Sequence, residues 1–403
     1  MKKRAALVFC LALASCTSAG QSAHKTASPS ASQSVPSSPR ITPKNTLPAG
    51  DSGKTFVLDL TWISTETGWA LFSAPCATGR CPEIEKTTNG GLTWIELPSP
   101  PGIVHTDSID CETAPCVQAI RFATAKVGYL FGGAFYVTLD GGRTWTRQKS
   151  QLVEALEPAN GNVVRMVFDQ AGCPGPCNRY VQVADAGSDS WRTVLHVSVD
   201  MLGGDSRAST SQLIRAGSRA IYIPIYGDTA AGAGSQHAII FRSLDGGETW
   251  KRLADPCGTH RGLYFDAIAF AAVPGGFAST ICVTRGGAGP GDFLLTSQNY
   301  GSLWSPMRPI PDWAEEIAAA TSKRLVVAAP GVTGNGHYVY QLAVSKDAGQ
   351  HWSTVVRDRE LVNDFPGTFL GFESASVGRW IAEPTAIWTT TDGGLSWFRR
   401  SVD

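Results

Sequence analysis

The chain has 403 residues with 34 basic and 34 acidic side chains, so its formal net charge is zero, and only 17% of its residues are charged. That balance leaves no basic surplus of the kind that nucleic-acid binding or the steering of an acidic substrate needs. Glycine is abundant at 43 residues, as many tight turns would require.

Met1-Lys-Lys-Arg4 is a positive n-region, and the apolar stretch from Ala5 to Ala14 is too short to span a bilayer permanently. Leu13-Ala14-Ser15-Cys16 looks like a bacterial lipobox. That resemblance implies removal of residues 1–15 and a diacylglycerol on the Cys16 thiol, anchoring an exported protein to the outer face of the cell membrane. The lipid would be the only membrane attachment. Residues 16–53 then form a linker. From Thr17 to Gly53, Ser, Thr, Pro and Ala fill 23 of 37 positions, which cannot bury enough apolar area to offset the ordering entropy. As a coil such a tether reaches about 30–35 Å.

Residues 54–403 are organised by a repeat, Ser/Thr-x-Asp/Asn-x-Gly-x-Ser/Thr-Trp. Clear copies place Asn89 before Trp94, Asp140 before Trp145, Asp245 before Trp250 and Asp392 before Trp397. Weaker copies place Asn299 before Trp304 and Asp347 before Trp352, and a degenerate one carries an extra residue between Asp185 and Trp191. Each copy lies between two β-like runs. Asp/Asn-Gly is a strong hairpin signal, and the carboxylate can accept hydrogen bonds from its own turn. Burial of seven such rings would contribute roughly 10–20 kcal/mol in gross terms, at ~1.5–3 kcal/mol each. The tryptophans are spaced by 50.5 residues on average (303 residues in six steps). Seven units therefore need about 354 residues, and positions 54–403 supply 350. The expected fold is all-β, a seven-bladed β-propeller with four antiparallel strands per blade. The ring is expected to close by packing, because Gly367–Phe372, Gly378–Ala382, Ala386–Thr390 and Ser396–Val402 give blade 7 its own four strands.

The repeat resembles the Asp-box, or bacterial neuraminidase repeat, of sialidases, sortilin-type receptors, xyloglucanases and the photosystem II assembly factor. In those families it marks the turn between the third and fourth strands of a blade, away from the active site. The junctions Glu66-Thr-Gly-Trp69, Lys126-Val-Gly-Tyr129 and Ser376-Val-Gly-Arg379 are similar to repeats of the photosystem II assembly factor. The resemblance implies a scaffold that binds a protein or a cell-wall glycan, acting as a monomer.

A four-stranded meander puts first-to-second and third-to-fourth turns on one face, where they are short here. The opposite face receives the segments Phe72–Pro82, Pro98–Cys116, Ala171–Arg179, Val199–Gln212, Gly227–His237, Asp255–Gly262, Thr284–Asp292, Pro306–Trp313 and Pro330–His337, read as long loops. Binding is expected there. Cys76, Cys81, Cys111, Cys116, Cys173, Cys177, Cys257 and Cys282 all map to that face. In an exported chain they are expected to pair as 76–81, 111–116, 173–177 and 257–282. No histidine lies at zinc-like spacing from them, so no metal is expected.

A sialidase-like glycoside hydrolase is the alternative. Such enzymes need a convergent arginine cluster, yet Arg121, Arg165 and Arg215 are scattered and Arg308-Pro-Ile-Pro311 follows the fifth box. Asp59, Asp266, Glu315 and Glu316 fall on inner strands and could serve as acid/base partners. No nucleophile elbow, phosphate loop or His-Glu-x-x-His occurs, so no cofactor is expected and no catalytic residue is assigned. His260, Arg261 and Trp313 are the loop-face residues best suited to grip an anion or stack on a sugar. Replacing Cys16 with Ala should release the protein into the medium; unchanged membrane fractionation would refute the lipid anchor.

Overall fold

The computed structural model describes residues 55–77, 79–104, 116–168, 178–198, 201, 210–226, 238–260, 263–284, 292–332, 338–360, 369–383 and 385–402. The signal-like segment, Cys16 and the linker lie outside them. Within them the chain is all β, a seven-bladed propeller in which each blade is an antiparallel meander in sequence order.

Blade 1 consists of β1 (Phe56–Trp62), β2 (Gly68–Cys76), β3 (Gly79–Thr87) and β4 (Ile95–Leu97). A short β5 (Ile103–Val104) runs parallel to the first strand of blade 2, which comprises β6 (Cys116–Phe122), β7 (Gly128–Gly132), β8 (Phe135–Thr138) and β9 (Thr146–Gln148). Blade 3 is β10 (Val153–Ala159) to β13 (Arg192–Val197). In blade 4, β14 (Thr210–Ser211) and β15 (Ile214–Ala216) share the edge of β16 (Ala220–Tyr226), followed by β17 (Ile239–Ser243) and β18 (Lys251–Leu253). Blade 5 adds β19 (Thr259–His260) inside β20 (Leu263–Val273), then continues with β21 (Phe277–Thr284), β22 (Phe293–Ser297) and β23 (Arg308–Pro309). Blades 6 and 7 are β24 (Glu316–Ala319) to β27 (Ser353–Glu360) and β28 (Phe369–Phe372) to β31 (Phe398–Ser401).

Two of the segments read as long loops are ladder in their described parts. β2 and β3 stay paired out to Cys76 opposite Gly79, and β25 (Leu325–Val332) pairs with β26 (Tyr338–Ser345) out to Val332 opposite Tyr338. Proline at Pro75 and Pro330 hides these strands from a propensity reading.

The repeated turn is a network of side-chain bonds. Thr138 Oγ1 donates to Asp140 Oδ1 (2.8 Å) and accepts from Gly142 N (2.9 Å). Asp140 also accepts from the Thr144 amide (2.9 Å) and hydroxyl (2.6 Å). The hydroxyl-to-Asx and amide-to-Asx bonds recur around Asn89, Asp245, Asn299, Asp347 and Asp392. In the degenerate copy Asp185 is exposed, and the turn is held by the bond from Ser188 N to Asp185 O (2.9 Å).

The two residues after the Asp/Asn, not the Asp/Asn itself, carry positive φ: 82° at Gly141 and 95° at Gly142. Tyr300 (61°) and Ala348 (60°) take the first of these places. The second is glycine in all six copies, because it also lies against the preceding blade. A Cβ on Gly349 would sit 2.1 Å from Leu294 Cδ2, and one on Gly247 2.2 Å from Val164 Cγ2.

The tryptophans precede the fourth strand and are only half-buried, except Trp397, so the gross estimate for their burial is too high. Five pack edge-on against an aromatic: Trp94 on Trp62 (5.8 Å), Trp145 on Phe122 (6.1 Å), Trp191 on Phe135 (6.1 Å), Trp304 on Phe270 (6.1 Å) and Trp397 on Phe372 (6.1 Å). The same aromatics explain the glycine of the first-to-second junction. A Cβ on Gly68 would meet the Trp62 ring at 2.5 Å, and one on Gly128 or Gly378 would meet Phe122 or Phe372 at 2.5 or 2.7 Å.

Apolar clusters fill the seams between blades. At each seam a side chain also engages the next blade's third-to-fourth turn. Trp69 Nε1 donates to Gly141 O (3.2 Å), Gly187 N to Tyr129 Oη (2.7 Å) and Asn162 Nδ2 to Glu248 Oε1 (3.0 Å). Arg242 donates to Tyr300 O (2.8 Å), Arg308 to Ala348 O (2.9 Å) and Arg324 to Asp392 O (2.9 Å). Arg379 closes the ring, donating to Gly90 O (3.2 Å) with its guanidinium 4.3 Å above the Trp62 ring. Among the described residues no strand is exchanged between blades 7 and 1.

Gly349→Ala should cost about 2–5 kcal/mol of stability, since backbone strain adds to a clash with Leu294. Gly90→Ala, whose Cβ would meet only Thr65 O at 3.3 Å, should cost about 1–2 kcal/mol. Denaturant unfolding of the two variants checks the order; equal losses would refute the account.

Candidate functional site

The seven innermost strands enclose an axial cavity of about 470 Å³ lined by Asp59, Arg121, Glu154, Glu157, Arg215, Glu315, Glu316 and Glu373 among apolar residues. Four of these strands are bulged, with pairing shifted between Val57 and Asp59, Val117 and Ala119, Val153 and Ala155, and Ala267 and Ala269. The bulge turns Asp59 across the first seam. Its carboxylate accepts from Leu60 N (2.9 Å), Ile120 N (2.8 Å) and Arg121 Nη1 (2.5 Å).

Burial pushes the Asp59 carboxyl up, and Arg121 only partly offsets this. Burial also works against the Arg121 charge, but Asp59 and Glu157 outweigh it and keep the guanidinium protonated. Arg121 Nε lies 2.7 Å from Glu157 Oε1, and Arg179 lies 2.9 Å from Glu154. Asp59 is therefore bound into a structural bridge and is badly placed for acid/base work.

A second cavity, of about 490 Å³, opens beside the channel between blades 5 and 6. Ile268, Val283, Asp292, Asp312, Trp313, Ala314 and Glu315 line it, and Ile268 and Glu315 line the channel as well. It belongs to the loop face: Asp292 opens β22, and Asp312 to Glu315 connect β23 to β24. A Pro-initiated turn, with Ala314 N bonded to Pro311 O (3.1 Å), sets Trp313 at the rim, and Glu315 N bonded to Ala328 O (2.9 Å) starts the strand. No cation lines this pocket among the described residues. Burial raises Asp292, with Asp312 adding to it, and burial raises Glu315, with Asp292 adding to it. An indole flanked by carboxyls offers a stacking platform with acceptors for hydroxyl or cationic groups.

Of the residues named from sequence, Trp313 and Glu315 line this pocket, Glu315 lying just ahead of the inner strand on which it was expected and Glu316 opening that strand. His260 ends β19 with its side chain outside the described residues, as are Arg261 and the Asp266 side chain. Cys76 and Cys81 are bonded (Cα–Cα 5.9 Å) at the tip of the β2–β3 hairpin. Cys257 and Cys282 are bonded (5.6 Å) and tie the entry of blade 5 to β21. Cys116 is also in a disulfide; Cys111, Cys173 and Cys177 lie outside the described residues. Arg121 and Arg215 face the channel, whereas Arg165 stacks at 3.8 Å on Trp191, so these three do not converge.

Sequence reasoning missed Asp292, Asp312 and Glu373, whose signal is only their place at strand ends. Glu373 Oε2 is buried with no hydrogen-bond partner among the described residues. Burial pushes this carboxyl up to about 7, with Arg379 pulling the other way. A folded-state pKa above the ordinary value means its stabilising contribution is complete below about 4.5 and is lost as the pH rises through about 7. Glu373→Gln should therefore gain about 1–3 °C in Tm over the native protein between pH 5 and pH 8. A pH-independent difference would refute this.

No protein-family model matches this chain, and no curated protein matches it either. Solved structures do. The polysaccharide lyase PL25 ulvan lyase is 12% identical, covering 87% of this chain and 97% of that one, with a TM-score of 0.52. The GH93 α-L-arabinofuranosidase of Fusarium graminearum, in complex with arabinobiose, is 11% identical over 86% and 93%, with a TM-score of 0.44. YCF48 bound to D1 peptide is 14% identical over 87% and 92%, with a TM-score of 0.34. At these identities the likeness is one of fold alone: the chain is a seven-bladed propeller.

Proposed function

We propose that this chain is an exported propeller, tethered through a lipid on Cys16, that binds a protein or cell-wall glycan partner on its loop face without turning it over. The repeated turns are read as Asp-boxes: they stiffen the opposite rim and leave the loop face for contact. The observation that carries the reading is the Trp313 pocket. An aromatic platform with Asp292, Asp312 and Glu315 around it, and no cation among the described lining residues, suits a ligand rich in hydroxyl groups or bearing a positive charge. Of the channel acids, Asp59, Glu154 and Glu157 do not compete for that role, because they are already paired with arginine.

One observation favours a glycosidase as the second reading. Asp292 and Glu315 are both raised, the condition under which a carboxyl can act as a general acid. The non-convergent arginines disfavour the sialidase type in particular.

The two readings separate in one pair of assays. On arrays of cell-wall glycans and peptides, Trp313→Ala should weaken the bound partner at least about tenfold, the loss expected of a central aromatic anchor. Undiminished binding would remove the pocket from the proposal. Turnover of an aryl-glycoside panel that vanishes in Glu315→Gln would replace the binding role with the enzyme.

A further inference from the structure

We infer that the closing seam between blades 7 and 1 holds a second ligand site, a crevice that takes a small organic carboxylate. It lies on the rim of the repeated turns, away from the Trp313 pocket, and does not depend on the function proposed for that pocket. Its volume is about 270 Å³, just under the roughly 300–1,000 Å³ of sites for drug-sized molecules, so the occupant is fragment-sized.

The argument rests on donors without acceptors. Trp62 Nε1 and Arg379 Nε both belong to residues lining the crevice, both are buried, and neither has a hydrogen-bond partner among the described residues. Such orphans are rare in folded proteins and call for an explanation. Arg379 is 1% exposed, and its other nitrogens are spent on Gly378 O and Gly90 O (both 3.2 Å). Arg400, half-buried, contributes a second guanidinium and uses Nη1 on Gly91 O (3.2 Å). The two arginines repel one another, and no carboxylate lines the crevice among the described residues. The nearest acid acting on Arg379 is Glu373, on the channel side, which burial leaves only partly ionised at neutral pH.

The first seam shows what this place looks like when packing alone is served. There Trp69 holds the position of Arg379, stacks on Phe122 at 3.7 Å and gives its only donor to Gly141 O. Arg379 repeats the stack and the bond, and brings a surplus charge with a free Nε. Two guanidiniums facing apolar walls of Trp94, Ile387 and Val402 complement an acid with an apolar body better than a fully hydrated oxyanion.

Thermal shift and calorimetry on the full chain at fixed ionic strength test this, with benzoate as the probe and benzamide and inorganic phosphate as its controls. Benzoate should raise Tm saturably and benzamide should not. Arg400→Gln should weaken benzoate about tenfold or more, as for loss of a charge-assisted hydrogen bond. Arg357→Gln, an exposed arginine on blade 6, should leave binding unchanged. Because Arg379 also closes the ring, Arg379→Lys is read only if its Tm without probe is retained; it should then bind more weakly than the native chain. Equal shifts by benzamide, binding insensitive to Arg400→Gln, or phosphate binding without benzoate would each overturn the proposal. A benzoate effect seen only after removing Asp403 would assign the crevice to the chain's own tail, and would also overturn it.

Discussion

The structure depends on one contact repeated around a circle, the grip of each blade on the third-to-fourth turn of the next. The turn is made rigid internally by its Ser/Thr–Asx bonds and is then bonded from the preceding blade by Trp69, Tyr129, Asn162, Arg242, Arg308, Arg324 or Arg379. Neighbouring sheets share an apolar cluster, which is non-directional. The polar bond supplies direction and fixes how far one sheet rotates over the next. With the rotation set at every seam, seven sheets close with no shared strand.

This economy concentrates charge where packing cannot use it. In the channel, Arg121 bridges Asp59 and Glu157 and so staples the inner strands of blades 1, 2 and 3, while Arg179 of blade 3's third strand pairs with Glu154. At the loop-face rim and at the closing seam that balance fails in opposite directions. Asp292, Asp312 and Glu315 surround Trp313 without a basic partner in the pocket lining. Arg379 and Arg400 line one crevice, and their hydrogen bonds among the described residues go to backbone carbonyls alone. The channel's Glu373 is a third such place, since its buried Oε2 has no hydrogen-bond partner among the described residues. The Trp313 pocket and the seam crevice lie on opposite rims, so occupancy of one leaves the other open.

Much of this was legible in the residues. The Asp-x-Gly-x-Ser/Thr-Trp pattern is local, since every bond that defines it spans four residues or fewer, and local bonds leave a sequence signature. The same holds for Cys76 and Cys81, and for the glycine that precedes Trp69, Tyr129 and Arg379. What was misread was local geometry overridden by context. The segments around Pro75 and Pro330 pair as strand, because a proline at the outer reach of a hairpin need not donate.

The sequence by itself determined the number of blades and the corner of each blade that is rigid, because these follow from a repeat length and a turn chemistry that act over short distances. Only the tertiary structure decided which charges are satisfied. Asp59 and Arg121 are 62 residues apart, and Arg379 and Gly90 are 289 apart. Whether an acid is bridged, stranded or available depends on neighbours that arrive from other blades, and no spacing along the chain records them.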